Sequence, residues 1–387
     1  MTPFDAMHES AHAARVLETL RARITEAGGW LSFDQYMQLA LYAPGIGYYS
    51  AGARKLGEGG DFTTAPEISP LFGRCLARHC AQVLAACGGG DVLEIGAGTG
   101  RLAFDLLAAL HANGTVPARY RILEVSADLR ERQRALLKQL PARLFHRVEW
   151  LDTPPAEAWR GALLANEVLD ALPVECFTWR DGQVLERGVA LREDGALTWS
   201  ERAATDSLRG EVGRVSADSG TPWPEEFHSE LCSRAGAWIG EVTRSLSEGV
   251  ALFIDYGLPR RDYYAAARSD GTLRCHYRQR AHDDPFAHPG LEDITAWVDF
   301  TRVAEAADAA DLEVLGFATQ AALLLGLGIE RDVADAGEEA MRIRLASEAR
   351  RLLMPEEMGE SFKAIALGRG VDIPLAGFAL QDLRNRL

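Results

Sequence analysis

A glycine-rich turn is the segment of this sequence whose residue types and spacing most clearly indicate chemistry. The strand-forming residues 91–95 run directly into Gly96-x-Gly98-x-Gly100, and helix-forming residues begin at Arg101. Glycine permits the sharp turn and the close backbone approach that a bound ligand requires. The N-terminus of the following helix presents free backbone N–H groups. The pattern therefore predicts a site for a nucleotide-type ligand.

Two common nucleotide motifs do not match this turn. The dinucleotide fingerprint requires Gly or Ala where this chain has Arg101, and no GK[ST] follows to form a P-loop. The ExGxGxG pattern, with Glu94 before the first glycine, resembles motif I of class I S-adenosylmethionine-dependent methyltransferases. Glu124 ends the next predicted strand, where a carboxylate can accept hydrogen bonds from both ribose hydroxyls. The alternative is a Rossmann-like sheet that has lost its ligand.

Several further segments, taken in order, resemble one family. They are LYAPGIGYYS (41–50), GDFTTAPEISPLFG (60–73), VLEIGAGTG (92–100), LEVSADLRERQ (123–133), ANEVLDALPV (165–174), FIDYG (253–257) and DITAWVDF (293–300). Together they resemble the MidA family, whose mitochondrial members are complex I assembly-factor protein arginine methyltransferases. The resemblance implies a class I methyltransferase fold, with S-adenosylmethionine as cofactor and S-adenosylhomocysteine as product. By analogy it also implies a protein substrate, such as a respiratory-complex subunit.

The motifs and the resemblance predict one set of cofactor contacts. The set is Glu94, Gly96, Ala97, Gly98, Gly100, Glu124, Val125, Asp152, Asn166, Thr63 and Thr64. Asp152 ends the third predicted strand and is a candidate adenine contact, although a helix cap before residues 154–155 is an alternative role. Thr63 and Thr64 lie in an irregular segment, residues 43–70, in which we expect a lid over the cofactor. The alternative is that residues 66–68 simply begin a helix.

Two acidic residues follow the fourth predicted strand, at the sheet edge that faces the ligand crevice in open α/β sheets. Glu167 and Asp170 are three residues apart, so both can face one side of a turn. A guanidinium acceptor is cationic, so carboxylates must orient it. We predict that Glu167 holds the acceptor with support from Asp170; capping of the next helix is the alternative. Tyr48 and Tyr49 either line the acceptor channel or pack in the core.

The remaining sequence predicts the elements that hold these residues in place. Short apolar runs alternate with helical segments, a rhythm that predicts an α/β fold with a parallel sheet and helices on both faces. The predicted strands cover residues 91–95, 119–125, 148–151, 162–166, 250–255, 312–319 and 362–367. The predicted class is therefore a Rossmann-like class I methyltransferase sheet.

Insertions and a preceding region complete the predicted organisation. Alternating apolar and polar residues, with turns at Asp181-Gly182 and Asp194-Gly195, predict a β-rich insertion. We divide the chain into a helical N-terminal region with the lid (1–87), the first part of the core (88–174), a β-rich and helical insertion (175–245) and the second part of the core (246–387), which carries another insertion at about 256–300. We expect the insertion at 175–245 to be the substrate subdomain.

Composition restricts the partners. The 387 residues have a formal net charge of −15, which disfavours non-specific binding to nucleic acid. The longest apolar stretch, residues 321–329, is too short for a membrane span. His276, His282 and His288 match no metal-ligand spacing, and methyl transfer needs no metal, so we expect none. Without an export signal, we expect a cytoplasmic protein. Three lysines against 38 arginines indicate a GC-rich coding bias, from which we expect a bacterial source. A homodimer is one option for the oligomeric state.

Arginine is the favoured acceptor, and other functions stay open. One alternative is a small-molecule N- or O-methyltransferase, which a narrow, mostly apolar cavity at the methyl position would favour. Another is a non-catalytic assembly factor on a methyltransferase scaffold. A dehydrogenase is the least favoured because of Arg101.

Overall fold

The computed structural model describes residues 3–50 and 63–387. Residues 51–62, the middle of the irregular segment in which the lid is predicted, lie outside the described residues.

The helices are α1 (Pro3–Glu26), α2 (Phe33–Tyr42), α3 (Ala65–Ile68), α4 (Pro70–Ala86), α5 (Arg101–Ala112), α6 (Ala127–Leu137), α7 (Ala142–Phe145), α8 (Asp206–Ser219), α9 (Ala235–Thr243), α10 (Arg260–Tyr263), α11 (Phe300–Ala309), α12 (Gln320–Gly326), α13 (Ile329–Ala334) and α14 (Glu339–Leu353). The strands are β1 (Trp30–Ser32), β2 (Asp91–Ile95), β3 (Tyr120–Leu123), β4 (Val148–Leu151), β5 (Trp159–Asn166), β6 (Glu175–Arg180), β7 (Gln183–Leu191), β8 (Leu197–Ala203), β9 (Phe227–Leu231), β10 (Leu246–Leu258), β11 (Arg274–Tyr277), β12 (Arg280–His282), β13 (Asp293–Thr295), β14 (Val298–Asp299), β15 (Glu313–Thr319) and β16 (Phe362–Arg369).

The central sheet has the order β15-β16-β10-β5-β2-β3-β4, and β14 also pairs with β10. The chain runs outward from β2 through β3 to β4, then crosses back to β5 and β10 on the other side of β2. The strand order therefore reverses between β2 and β5. In open α/β sheets such a reversal opens a ligand crevice at the carboxyl ends of the strands.

One predicted feature of this sheet is wrong. The α/β class is confirmed, but the sheet is mixed, because β16 pairs antiparallel with both β10 and β15. Helices α12 to α14 return the chain to the edge where β15 ends, so β16 starts at the carboxyl edge of the parallel strands. Nearly every residue of β16 is buried, and a strand buried on both faces has no alternation that could indicate direction.

Helices cover both faces of the central sheet, as predicted. Successive side chains of β2 point to opposite faces, so Val92 belongs to one apolar core and Leu93 to the other. Helices α4 and α5 pack in the first core, and α9 and α11 pack in the second. In the described part of the chain, no helix is long and apolar enough to span a membrane.

The predicted β-rich insertion forms a second sheet. Its strand order is β1-β7-β6-β9, with β8 paired to β7, and the turns fall at both predicted Asp-Gly pairs. Strand β1 comes from the N-terminal region and was not predicted, since three residues are too few to show a period. The N-terminal region and the insertion therefore share one sheet. The domain limits given above stay a prediction.

The second predicted insertion contains a small sheet of order β12-β11-β13. Cys275 and Ile294 from this sheet lie in the same apolar core as Phe33 and Tyr36 of α2. Both insertions and the N-terminal region thus meet around α2.

Candidate active site

A cavity of about 430 Å³ lies at the carboxyl ends of β2, β3 and β5, where the strand order reverses. We divide its walls into two halves. The turn half consists of Glu94, Gly96, Ala97, Gly98, Thr99, Glu124 and Val125. The Glu167 half consists of Gln38, Tyr42, Tyr49, Asn166, Glu167 and Trp238. Helix α3 also contributes to the wall, through Pro66 and Glu67.

The backbone of the turn requires its glycines. Gly96, Gly98 and Gly100 have φ angles of 67°, 53° and 86°, in the left-handed region that glycine adopts most readily. A Cβ atom on Gly100 would also lie 3.2 Å from the Cα of Gln133. The predicted motif is thus a conformational requirement, and it brings the first turn of α5 to the cavity.

Glu124 directly follows β3, and hydrogen bonds within the fold already orient its carboxylate. Its Oε1 accepts a hydrogen bond from the backbone N–H of Ser126 at 2.9 Å, and its Oε2 accepts one from the Gln133 amide at 3.2 Å. Gln133 also donates to the carbonyl of Gly98 at 2.9 Å. Burial raises the pKa of Glu124, and the hydrogen bond from Ser126 opposes that rise. One glutamine therefore ties the turn to the strand-end acid.

Glu94 is more deeply buried than its position before the turn suggests. Its side chain is 3% exposed, and the Tyr120 hydroxyl donates a 2.6 Å hydrogen bond to its Oε2. Burial raises the pKa of Glu94 to about 7, although the hydrogen bond from Tyr120 opposes the rise. Glu94 is consequently an acid that titrates close to neutral pH.

Glu167 has a backbone conformation that few non-glycine residues adopt. Its φ is 52°, and its N–H donates to the carbonyl of Ile254 at 2.9 Å. Its Oε1 accepts from the Asn166 amide at 3.1 Å and from the N–H of Ala65 at 3.4 Å. Burial, followed by the charge of Asp170, raises the pKa of Glu167 to about 8. Left-handed backbone at a non-glycine residue is a form of strain that concentrates at functional sites.

Two more carboxylates lie next to this turn, and that of Asp255 holds its backbone. Oδ2 of Asp255 accepts backbone hydrogen bonds from Val168, Leu169 and Asp170, at 3.1, 2.9 and 3.2 Å. The Tyr256 hydroxyl donates to the Asp170 carboxylate. Burial is the main cause that raises the pKa of both aspartates above their usual range. Three acids therefore lie close together with no cation recorded between them among the described residues.

Most of the predicted residues meet at the cavity. Those in its wall are Glu94, Gly96, Ala97, Gly98, Glu124, Val125, Asn166, Glu167 and Thr64. Gly100 lies just behind, as the N-cap of α5. Thr63 and Asp170 are outside the wall, and Asp152 instead pairs with Arg130 at 2.7 Å, with an 87% exposed side chain. Their predicted roles stay predictions. Tyr49 lines the cavity, whereas Tyr48 packs in the core.

Several wall residues were not predicted. Gln38 and Tyr42 come from α2, and Trp238 comes from α9 in the insertion. Arg234, at the start of α9, bonds to the Asp34 carboxylate at 2.8 Å and to the Gln38 amide oxygen at 3.0 Å. These residues belong to no motif and meet only because the insertion folds onto the N-terminal region. Glu67 was within the predicted lid, and its acidity was an available signal.

The cavity fits S-adenosylmethionine on observations of its own residues. The Glu124 carboxylate can accept ribose hydroxyls, and the adjacent Val125 is an apolar side chain left 74% exposed. Oδ1 of Asn166 is buried and has no hydrogen-bond partner among the described residues. A ligand with hydroxyls, an apolar base and N–H donors would satisfy all three. The fold and this site define a class I S-adenosylmethionine-dependent methyltransferase.

Comparison with known proteins agrees with this class. The model of the family described as "Putative S-adenosyl-L-methionine-dependent methyltransferase" matches residues 75–318, and the chain belongs to that family. A mouse protein, "Protein arginine methyltransferase NDUFAF7, mitochondrial", is 30% identical and covers 93% of this chain and 85% of its own length. The zebrafish protein of the same name is 29% identical, covering 95% and 93%.

A solved structure is more similar still. The structure of a "likely methyl transferase" from Burkholderia thailandensis, bound to S-adenosyl-homocysteine, is 42% identical to this chain. It matches with a TM-score of 0.94 over 100% of this chain and 99% of that one. This protein is thus an S-adenosylmethionine-dependent methyltransferase, with S-adenosylmethionine as its cofactor.

Proposed function

We propose that the methyl acceptor of this enzyme is an arginine side chain of a protein. The observation that carries the proposal is the Glu167 carboxylate, half-buried in the wall of the cofactor cavity and held there by a strained turn. An acid that has lost part of its solvation favours a cationic ligand, because pairing replaces the solvation that the carboxylate has lost.

The chemistry needs a base and an orienting group more than it needs a nucleophile from the protein. When bound, S-adenosylmethionine supplies an electrophilic methyl carbon. Asn166 and Ala65 both donate to Oε1 of Glu167, so an acceptor N–H would pair with Oε2. Ionised Glu167 then orients one guanidinium nitrogen and accepts the single proton that leaves when that nitrogen is methylated. A positioned base of this kind contributes roughly 10²–10⁴-fold to a rate.

Asp170 and Asp255 act on Glu167 through position and charge. Asp255 holds the turn that carries Glu167, and Asp170 adds negative charge that further raises the pKa of Glu167. Both effects make Glu167 a stronger base than an exposed glutamate. The names of the mitochondrial relatives, which describe protein arginine methyltransferases, support the same acceptor.

One observation favours the second candidate, a small-molecule acceptor. Apolar side chains of Leu172, Pro173 and Trp238 form part of the cavity wall beside Glu167. Such a wall suits a compact amine as well as an inserted arginine side chain. The experiment must therefore detect both products.

The test uses S-adenosylmethionine with a CD₃ methyl group and a lysate of the source organism from which the gene has been deleted. Purified enzyme is added, and mass spectrometry locates the CD₃ group separately in tryptic peptides and in the low-mass filtrate. We expect CD₃ on arginine with wild-type protein. Glu167→Gln should lower the signal about 100-fold or more.

Two controls make the result specific. Glu356→Gln neutralises an exposed acid that is not in the cavity wall, and it should methylate as the wild type does. Glu167→Gln should still bind S-adenosylhomocysteine, which separates loss of the acceptor from loss of the cofactor. CD₃ label found only in the filtrate would contradict an arginine acceptor and identify a small-molecule acceptor. Label on lysine or histidine would contradict it in favour of another protein side chain.

A further inference from the structure

The amino-acid end of the cofactor makes two opposite demands on the site. Its α-carboxylate needs hydrogen-bond donors, and its α-ammonium needs an acceptor, best supplied by a carboxylate. The first turn of α5 follows the glycine turn directly and offers free N–H groups for an anion. The partner of the ammonium group is the open question.

Glu67 of α3 is a carboxylate that lies directly against the glycine turn. It is half-buried in the cavity wall, and its Oε1 accepts a hydrogen bond from the Thr99 hydroxyl. Thr99 lies between Gly98 and Gly100, so the bond fixes the Glu67 carboxylate against the glycine turn itself. Arg101 also lines this region, but its guanidinium is paired with Asp105 at 2.7 Å.

The other carboxylates of the wall suit the ammonium less well. Glu124 is the carboxylate assigned to the ribose hydroxyls, and Glu167 is assigned to the methyl acceptor by the proposed function. Glu94 is the serious competitor, since it precedes the turn in the sequence. It is 3% exposed and bound by the Tyr120 hydroxyl, and burial raises its pKa to about 7, so a large share is uncharged near neutral pH.

We propose that Glu67 binds the α-ammonium group of the cofactor. Helix α3 is then part of the cofactor site, and it carries a second contact on the same short segment, from the N–H of Ala65 to Glu167. The two halves of the cavity are consequently joined by one four-residue helix.

The test compares two ligands that differ only in the amino group. S-adenosylhomocysteine has it, and 4-(5′-adenosylthio)butanoate has hydrogen in its place. Isothermal titration calorimetry measures both affinities for wild type, Glu67→Gln and the matched variant Glu94→Gln. Wild type should prefer S-adenosylhomocysteine roughly tenfold or more, because a hydrogen bond to a charged group is lost otherwise.

The ratio of the affinity for S-adenosylhomocysteine to that for the butanoate ligand should fall towards one in Glu67→Gln and should be retained in Glu94→Gln. This expectation holds even if either substitution weakens the binding of both ligands. The amide oxygen introduced by Glu67→Gln can still accept from Thr99, so the substitution removes the charge and leaves the tether. Retained binding of the butanoate ligand shows that the adenosine site is intact. A preference that survives in Glu67→Gln, or that disappears in Glu94→Gln alone, overturns the proposal.

A second variant decides the case in which Glu67→Gln binds neither ligand. Thr99→Val keeps the shape of the side chain and the charge of Glu67 but removes the hydroxyl that holds the carboxylate. A preference reduced severalfold supports the proposal. An unchanged preference overturns it, and so does wild-type protein that binds both ligands equally.

Discussion

The two halves of the cavity are assembled in different ways. The turn half comes mostly from residues 94–99 and from Glu124, the acid at the end of the next strand. The Glu167 half collects side chains from α2, α9 and the end of β5, and some of its contacts join residues almost 200 positions apart, such as Arg234 and Gln38.

The halves also differ in how they treat negative charge. In the turn half, each oxygen of Glu124 has a donor within the fold. In the Glu167 half, burial raises the pKa of Glu167, and the charge of Asp170, which lies just outside the wall, raises it further. The hydrogen bonds that orient Glu124 are therefore in place before a ligand binds. The raised pKa of Glu167 is an electrostatic cost that a cation would relieve.

The largest effect should come from breaking the turn half alone. Gly98→Val places a β-branched residue at a φ of 53°, which such a residue adopts only with strain. We expect S-adenosylhomocysteine affinity to fall about 100-fold or more by calorimetry. Gly213→Val is the matched control, since Gly213 is exposed on α8 with open space around its Cβ position. Equal affinity of both variants for S-adenosylhomocysteine would show that the glycine turn does not contribute to cofactor binding.

The turn half could be predicted because its information is contiguous. Gly96, Gly98 and Gly100 follow a strand directly, and each has the positive φ that the motif suggests. Glu124 ends the next strand, so counting strands was enough to find it. The position of Glu167 followed in the same way from the end of β5.

The rest of the site could not be predicted, for physical reasons. Trp238 and Arg234 reach the cavity because the insertion shares a sheet with β1, a pairing between segments about 160 residues apart. No local period encodes such a pairing. The direction of β16 could not be predicted for a related reason. A strand buried on both faces has the same residue pattern whether it runs parallel or antiparallel to its neighbours.

The pH dependence of catalysis should report the ionisation of Glu167. With an arginine acceptor, kcat/KM should rise roughly tenfold per pH unit up to about pH 8 and then level off, because only ionised Glu167 pairs with the cation. The guanidinium itself does not titrate in this range. Glu167→Gln should abolish this limb of the profile. Glu94→Gln should leave the break near pH 8, and a break that moves with Glu94 would contradict the assignment.

The free energy of unfolding should fall as pH rises, whereas kcat/KM rises over the same range. The folded-state pKa of Glu167, about 8, exceeds its ordinary 4.5, so stability is lost as pH rises from 4.5 through 8. We expect Glu167→Gln to raise the free energy of unfolding in urea by about 1 kcal/mol at pH 8. The difference should vanish near pH 4. Glu356→Gln should show no such pH-dependent gain, and a Glu167→Gln protein less stable than wild type at pH 8 would exclude the buried charge as a cost.

The smallest effect should come from the contact between α2 and α9. Asp34→Asn weakens the 2.8 Å ion pair with Arg234, whose partly exposed groups limit the loss of stability to about 0–1 kcal/mol. Because Arg234 and Gln38 lie in the cavity wall, we expect a severalfold rise in KM for the acceptor and unchanged affinity for S-adenosylhomocysteine. Asp206→Asn breaks an exposed pair with Arg209 on α8 and should change neither quantity. A change in cofactor affinity with Asp34→Asn would mean that the two halves are coupled through α2, and the separation between them would then be wrong.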